Sequence, residues 1–254
     1  MQPRPASRTL EVVQRRLVTP NMLRISLGGP GLADFPAGKE GGYIKLVLPP
    51  APGTKKPAVR TYTIRNQHED RIDIDFVLHG ITDGPAGPAT DWAFSAKPGD
   101  RIEIGGPGPA KPLPPSADWY FLAGDMTALP AISVNLEQLD RNARGTAIIE
   151  IKHADDRQEI EHPAGVDIRW LVNPRSGEED GMLVDELRLA GWPESQVYAW
   201  SACEFSSMRA LRAYLLEERG LTRESLYISS YWKAGSSEDR HKELKRDDAL
   251  IANR

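Results

Sequence analysis

The stretch Gly105-Gly106-Pro107-Gly108-Pro109-Ala110-Lys111-Pro112-Leu113-Pro114-Pro115 divides the chain into two parts with different periodicities. A segment so rich in glycine and proline neither continues a helix nor forms a central strand. The composition therefore predicts a domain boundary or hinge, with one domain over residues 1–114 and a second over 115–254. N-terminal to it lie short apolar or alternating runs: Thr9–Leu17, Met22–Leu27, Tyr43–Leu48, Arg60–Ile64, Ile72–Leu78 and Arg101–Ile104, with Gly, Pro, Asn or Asp between them. Several short strands at this spacing predict an antiparallel barrel or sandwich. One helical turn is expected to interrupt them at Ala89–Ala96, after Gly87-Pro88.

C-terminal to the stretch the period changes. Trp119–Ala123, Thr146–Ile151, Ile168–Val172, Val197–Ala202 and Leu226–Ser229 read as buried strands. Between them, Leu129, Ile132, Leu136 and Leu139 recur at helical spacing. Val184 and Leu187 predict a short helix closed by Gly191, and Ser206 is expected to cap a helix carrying Met208, Leu211 and Leu215. Alternating strands and helices imply a parallel sheet with helices on both faces. The tail starts a helix at Ser237, followed by Glu238 and Asp239, and is so charged that it belongs on the surface.

The whole chain of 254 residues is 40% hydrophobic and 27% charged, with 36 acids against 32 bases and a formal charge of −4. These values suit a globular protein and give no global reason to bind nucleic acid. The single cysteine excludes an intramolecular disulfide. No apolar run approaches a membrane span, and Met1–Arg16 lacks an apolar core of signal-peptide length, so the expected location is cytoplasmic, away from the membrane. The five histidines show no metal-ligand spacing, and no G-x-S-x-G elbow is present.

The chemistry concentrates in two stretches of the first domain. In Arg60-Thr61-Tyr62-Thr63 strand alternation sends Arg60 and Tyr62 to one face. A guanidinium there can pair with pyrophosphate, a phenol can cover an aromatic ring system, and the Thr63 hydroxyl or a backbone N–H can reach a ring nitrogen. An ordinary amphipathic barrel strand would carry the same four letters. In the second stretch, Asp75-Phe76-Val77-Leu78-His79-Gly80 is followed by Gly87-Pro88-Ala89-Thr90-Asp91-Trp92-Ala93. A strand ending at a histidine thus precedes a helix start whose free N–H groups suit phosphate. A histidine bonded to backbone is the alternative for His79.

Together with Lys97-Pro98-Gly99-Asp100, Gly124-Asp125-Met126-Thr127-Ala128-Leu129-Pro130-Ala131, Ser206–Arg212 and Tyr231-Trp232-Lys233-Ala234-Gly235, these motifs resemble, in order and over nearly the whole chain, the siderophore-interacting proteins. Those are FAD-dependent ferric-siderophore reductases of the ferredoxin-reductase-like superfamily. The resemblance implies a six-stranded antiparallel Greek-key flavin-binding barrel, then a doubly wound parallel-sheet domain of nucleotide-binding type. It implies FAD held by Arg60, Tyr62 and Thr63 at the ring and ribityl side and by Val77, His79, Ala89 and Thr90 at the pyrophosphate, with Thr61, Asp75 and Pro88 among the cofactor-binding residues. Asp125, Thr127 and Ala128 would contact flavin or nicotinamide, and Tyr231, Trp232 and Lys233 the flavin or its cleft. A hydrophobic lid on the last strand is the other reading of Tyr231 and Trp232.

The implied reaction passes electrons singly from flavin to Fe(III) of a ferric siderophore, with Thr63 near flavin N5 and no residue acting as acid, base or nucleophile. The electron donor would be NAD(P)H or reduced ferredoxin. The protein would act as a monomer. Lys45, Lys233 and Arg240 are the candidate contacts to an anionic chelate. Two departures bear on the donor. No G-x-G-x-x-G follows a strand, and Cys203 stands where many relatives have glycine, on a loop that would face a dinucleotide, so a side chain there would hinder it; a small buried residue is the commoner role of such a cysteine. Two other readings stay open: a general NAD(P)H:flavin or ferredoxin oxidoreductase on the same fold, and a non-enzymatic siderophore-binding module.

Overall fold

A computed structural model describes residues 7–50, 57–78, 87–178 and 181–252. The chain forms two units, Met1–Pro112 and Leu113–Arg254. In the first, β1 (Arg8–Thr19), β2 (Met22–Gly28), β3 (Tyr43–Leu48), β4 (Ala58–Gln67), β5 (Arg71–Val77) and β6 (Arg101–Gly108) close into a barrel in the order β1-β2-β5-β4-β3-β6. Every pairing is antiparallel. Strands β3, β4 and β5 are consecutive neighbours and β6 returns beside β3, which is the Greek-key arrangement. Alternation sends Leu10, Ile25, Ile44, Leu46, Ile74 and Ile104 inward, each fully buried. Helix α1 (Pro88–Ser95) packs Ala89 and Ala93 against this core.

The glycine-proline stretch behaves differently from its composition. Gly105–Gly108 continues β6, paired with β3 at Lys45↔Gly105 and Tyr43↔Gly108. Two features permit it. The pairing of β6 with β1 ends at Ile104, so beyond that residue β6 has β3 as its ladder partner and Pro107 interrupts no second ladder. A register shift between Tyr43 and Lys45 accommodates the extra residues. Gly108 is required because a Cβ there would lie 2.1 Å from the Tyr43 ring. A chain with no side chain at this point lets the tyrosine lie across it.

In the second unit, β7 (Trp119–Gly124), β8 (Arg144–Ile151), β9 (Gly165–Val172), β10 (Val197–Glu204) and β11 (Leu226–Trp232) form a parallel sheet ordered β11-β10-β7-β8-β9. Helix α2 (Leu129–Glu137) covers one face, where a Cβ on Gly124 would meet Ala128 and Ile132 at 2.9 Å. Phe121 and Ala123 point the other way, into a core with Leu183 and Leu187 of α3 (Met182–Leu189) and Met208 and Leu211 of α4 (Phe205–Ala213). The sheet is therefore doubly wound. Leu139 falls just beyond α2, because the helix is capped at Gln138. Ser206 does not cap α4. The cap is Glu204, whose carboxylate accepts from the amides of Ser206 and Ser207.

The tail helix α5 (Glu238–Ala252) starts where expected, with the Arg240 amide donating to Ser237 Oγ at 3.3 Å. Its contact side is mixed, with Leu244 packed against the core of the sheet and polar contacts around it. His241 Nε2 lies 2.9 Å from Ser230 Oγ of β11, and Asp248 receives a bidentate pair from Arg212 of α4 at 2.5 and 2.7 Å. No helix among the described residues is long and apolar enough to cross a membrane.

Candidate functional site

In the barrel, Arg60 and Tyr62 stand opposite Leu46 and Ile44 of β3, on the same side of the strand as those core residues, as alternation requires. Both are half-buried. The Arg60 guanidinium makes one hydrogen bond, from NH1 to the Val59 carbonyl at 3.1 Å, and has no carboxylate partner among the described residues. A half-buried cation with most of its donors unpaired among the described residues is chemically suited to an anion. The Tyr62 ring lies 4.3 Å from Phe76 and the Trp92 ring of α1 lies 5.8 Å from the same Phe76. This aromatic row ties β4 to α1 through β5. Thr61 is exposed opposite Lys45, and Thr63 is half-buried opposite Tyr43.

Helix α1 completes the set. Its N-cap, Gly87, offers no side-chain cap, and Pro88 occupies the first turn. Helix geometry leaves the amides of Ala89 and Thr90 without an intrahelical acceptor. A Cβ on Gly87 would meet nothing within 4 Å, while Ala89 and Thr90 themselves are buried. An arginine lacking an acidic partner, two helix-start amides and a tyrosine on the same wall fit a flavin dinucleotide: cation and amides for its phosphates, phenol for its ring system.

The remaining barrel candidates separate. Both carboxylate oxygens of Asp75 accept from Arg24, at 2.6 and 2.7 Å, in a pair that is nearly fully buried. That pair makes Asp75 part of the barrel wall, which removes it from the phosphate set implied by the sequence. Val77 is buried at the end of β5, paired with Met22. His79 lies outside the described residues. Lys45 is exposed on the outer side of β3.

In the second unit, the candidates from three strand ends converge on buried Asp125. Its Oδ1 accepts from the amide and hydroxyl of Thr127 at 2.8 and 2.5 Å, and its Oδ2 accepts from the Glu204 amide at 2.8 Å and Trp232 Nε1 at 2.7 Å. Burial pushes this carboxyl above the ordinary range, against the pull of those hydrogen bonds. Ala128 is fully buried beneath the same loop and Thr127 is partly exposed. Asp125 and Ala128 therefore shape the loop, and Thr127 is the member that reaches solvent. Trp232 also lies over Gly177, where a Cβ would come within 2.8 Å of its ring. Tyr231 is the extra residue of a bulge, since β10 pairs Cys203 with Ser230 and Glu204 with Trp232. Burial raises its phenol well above the usual value.

Neither of the other two candidate cations is free. Lys233 pairs with Glu204 at 3.1 Å and donates to Ser206 Oγ at 2.8 Å, and Arg240 pairs with Glu243 at 2.9 Å. Cys203 is fully buried within β10, packed in the core with Phe121 and Met208, and burial drives its thiol well above the usual range. Its side chain thus takes the buried role, packed within the core and away from solvent. The residue that sequence reasoning passed over is its neighbour, Glu204. The available signal was an acid one residue ahead of a helical run, which is the position of an N-cap.

Comparison with known proteins agrees with both units. Residues 11–56 and 50–111 match the siderophore-interacting FAD-binding domain, and residues 117–235 match the siderophore-interacting protein model. The ferric vibriobactin reductase ViuB of Vibrio cholerae is 34% identical over 256 residues, covering 93% of each chain. The chain belongs to the siderophore-interacting protein family. Two solved members superpose on nearly all of it. The siderophore-interacting protein SipS from Aeromonas hydrophila is 36% identical, with a TM-score of 0.85 over 97% of this chain and 99% of that one. A siderophore utilization protein from T. fusca is 32% identical, with a TM-score of 0.82 over 93% and 96%. Within this siderophore-interacting protein the FAD-binding domain is the barrel that carries Arg60, Tyr62 and α1.

Proposed function

We propose that this protein is an FAD-dependent ferric-siderophore reductase that converts Fe(III) in the chelate to Fe(II), so that iron is released in the cytoplasm. The observation that carries the reading is Arg60, a half-buried guanidinium with one carbonyl partner, on the strand that belongs to the family's FAD-binding domain. The name of the relative ViuB gives the reaction class. FAD, when bound, accepts electrons from NAD(P)H or reduced ferredoxin and delivers them one at a time to the metal.

The protein's own groups bind and orient. Arg60 and the amides of Ala89 and Thr90 would hold the phosphates, joined by Val77 at the end of β5 and by His79. Tyr62 would cover the ring system, and Thr63 would offer its hydroxyl to a ring nitrogen. In the second unit, Thr127, on the loop fixed by Asp125, and the strand-end pair Tyr231 and Trp232 are that unit's own candidate contacts. No side chain is required as acid, base or nucleophile, because an electron crosses to the chelate without bond exchange at the protein. Of the three cations considered for the chelate, Lys45 has no carboxylate partner among the described residues. It is the one we assign to drawing in an anionic siderophore.

The test is anaerobic. The purified chain is yellow or takes up FAD, and its photoreduced flavin is reoxidised by a ferric siderophore while a ferrous-specific chelator captures the product. A colourless chain that refuses FAD, or a reduced flavin untouched by the chelate, sinks the assignment.

A further inference from the structure

The sheet edges of the two units are treated differently. In the α/β unit, α5 lies against the edge strand β11, with His241 on Ser230 and Lys245 on Ser229. On the opposite edge strand, β9, Arg169 is answered by Asp167 at 2.8 Å and Glu186 at 3.0 Å. The barrel has an edge of its own, because β1 outruns its neighbour. Its register with β6 runs from Arg8 to Glu11. The last bonds on that side join the Val12 amide to the Asp100 carbonyl at 2.8 Å and the Gly99 amide to the Val12 carbonyl at 2.9 Å. Beyond them β1 continues to Thr19 with β2 as its ladder partner among the described residues. A strand with one neighbour presents a row of unpaired N–H and C=O groups along its free side.

Val13, Gln14, Arg15, Arg16 and Leu17 are all exposed, Val13 at 48% and Leu17 at 60%. Charges and an irregular register, here between Val12 and Gln14, are common ways to blunt an edge. Two exposed aliphatic side chains work against that purpose. Neither arginine has a carboxylate partner among the described residues, and Arg15 rests on the Phe94 ring at 5.9 Å. The acids nearest along the strands are engaged. Glu11 pairs with Arg101, Asp75 with Arg24, and Asp100 Oδ2 accepts from the Lys97 amide. The unanswered charge on this edge is therefore positive. A second copy paired edge to edge would set arginines against arginines, which disfavours self-association. A phosphate polyanion offers acceptors without donors and would leave the strand's free carbonyls unpaired. An extended acidic peptide supplies donors, acceptors and the opposite charge together.

We propose that the free side of β1, residues 13–18, is a docking edge for an acidic, extended segment of a partner protein. The segment adds as a strand beside β1, sets its carboxylates against Arg15 and Arg16, and covers Val13 and Leu17. The inference goes beyond the reductase reading and does not rest on it.

The experiment titrates the purified full chain with short labelled peptides, followed by fluorescence anisotropy. One peptide alternates glutamate with valine, one alternates lysine with valine, and the third is the glutamate peptide with every amide N-methylated. The glutamate peptide is expected to bind with a Kd of about 100 µM or tighter, and the other two at least about tenfold more weakly. Hydrogen exchange at residues 13–18 should slow when it binds. Arg15→Glu combined with Arg16→Glu should weaken the glutamate peptide at least about tenfold and improve binding of the lysine peptide. Should that double variant not fold, the order of the three peptides on the wild type decides alone. Equal binding of the N-methylated peptide overturns the proposal, since charge without a ladder would then suffice. No binding up to about 1 mM overturns it too. So does exchange slowed elsewhere than at residues 13–18, or self-association of the chain that protects the same amides.

Discussion

Arg60 in the barrel and Glu204 in the sheet are half-hidden and hidden charges on strands, yet they are treated in opposite ways. Arg60 has a single carbonyl partner among the described residues, and the start of α1 in the same barrel lacks a side-chain cap. Glu204 has the amides of Ser206, Ser207 and Ala234 and the ammonium of Lys233. The first arrangement leaves donors over among the described residues. The second is complete as it stands. A helix start near a sheet edge therefore says little about ligand binding until its donors have been accounted for one by one.

The comparison can be broken first at its saturated members. Arg24→Met strands Asp75 as a lone buried acid, and the chain should lose about 3–5 kcal/mol in urea unfolding. The barrel's closed ion pair would thereby behave as structure and not as a site. A loss under about 1 kcal/mol would return Asp75 to the ligand set. Asp125→Ala leaves the Thr127 and Glu204 amides and Trp232 Nε1 without their acceptor. The expected cost is about 2–4 kcal/mol, read by the same unfolding curve, with FAD affinity changed far less than stability. Equal effects on both would mean that Asp125 touches the flavin directly.

Arg60→Ala should invert that pattern. Flavin affinity, followed by fluorescence of released FAD, should fall roughly 100-fold, the range of a lost charge-assisted hydrogen bond. Stability of the flavin-free chain should move by less than about 1 kcal/mol, because among the described residues the guanidinium has only the Val59 carbonyl as partner. Unchanged affinity would remove the contrast altogether.

The smallest effect concerns α5. Burial, then the nearby Lys245 and Lys242, lower the His241 pKa, while Glu238 and Glu204 pull it upward without prevailing. A histidine whose folded value lies below its ordinary value near about 6.5 is held neutral by the fold. The stability it contributes is present above that ordinary value and is lost as pH falls through the lowered one. Hydrogen exchange over residues 238–252 should therefore speed up several-fold between about pH 7.5 and 5 relative to α2, and His241→Gln should flatten the dependence. Acid-insensitive exchange in the wild type would show that Asp248 and Arg212 alone anchor the helix.

Much of this architecture was readable from periodicity. Alternation placed β2, β3 and β5 nearly to the residue, and helical spacing found α2 and the core side of α4. The misreadings share a cause. Gly105–Gly108 was taken out of the barrel because composition cannot show that β6 has lost one neighbour by that point and needs bare backbone beneath Tyr43. Ser206 was given the cap because its hydroxyl is a common capping group, while the acid two residues earlier reaches the same amides. Of the two roles open to Cys203, the buried one is the one found, since a residue's burial depends on neighbours from other segments.

What the order of residues determined alone was local: strand and helix periods, the Arg60–Thr63 set on one strand, and the capless start of α1. These follow from steric and hydrogen-bonding rules that act within a few residues. What only the tertiary structure decided was which charges are already answered. Asp75 finds Arg24 51 positions away, and Asp125 finds Trp232 107 positions away. Such pairs form when the sheet brings distant strand ends together, and they determine whether a buried polar group is a joint of the fold or a place for a ligand.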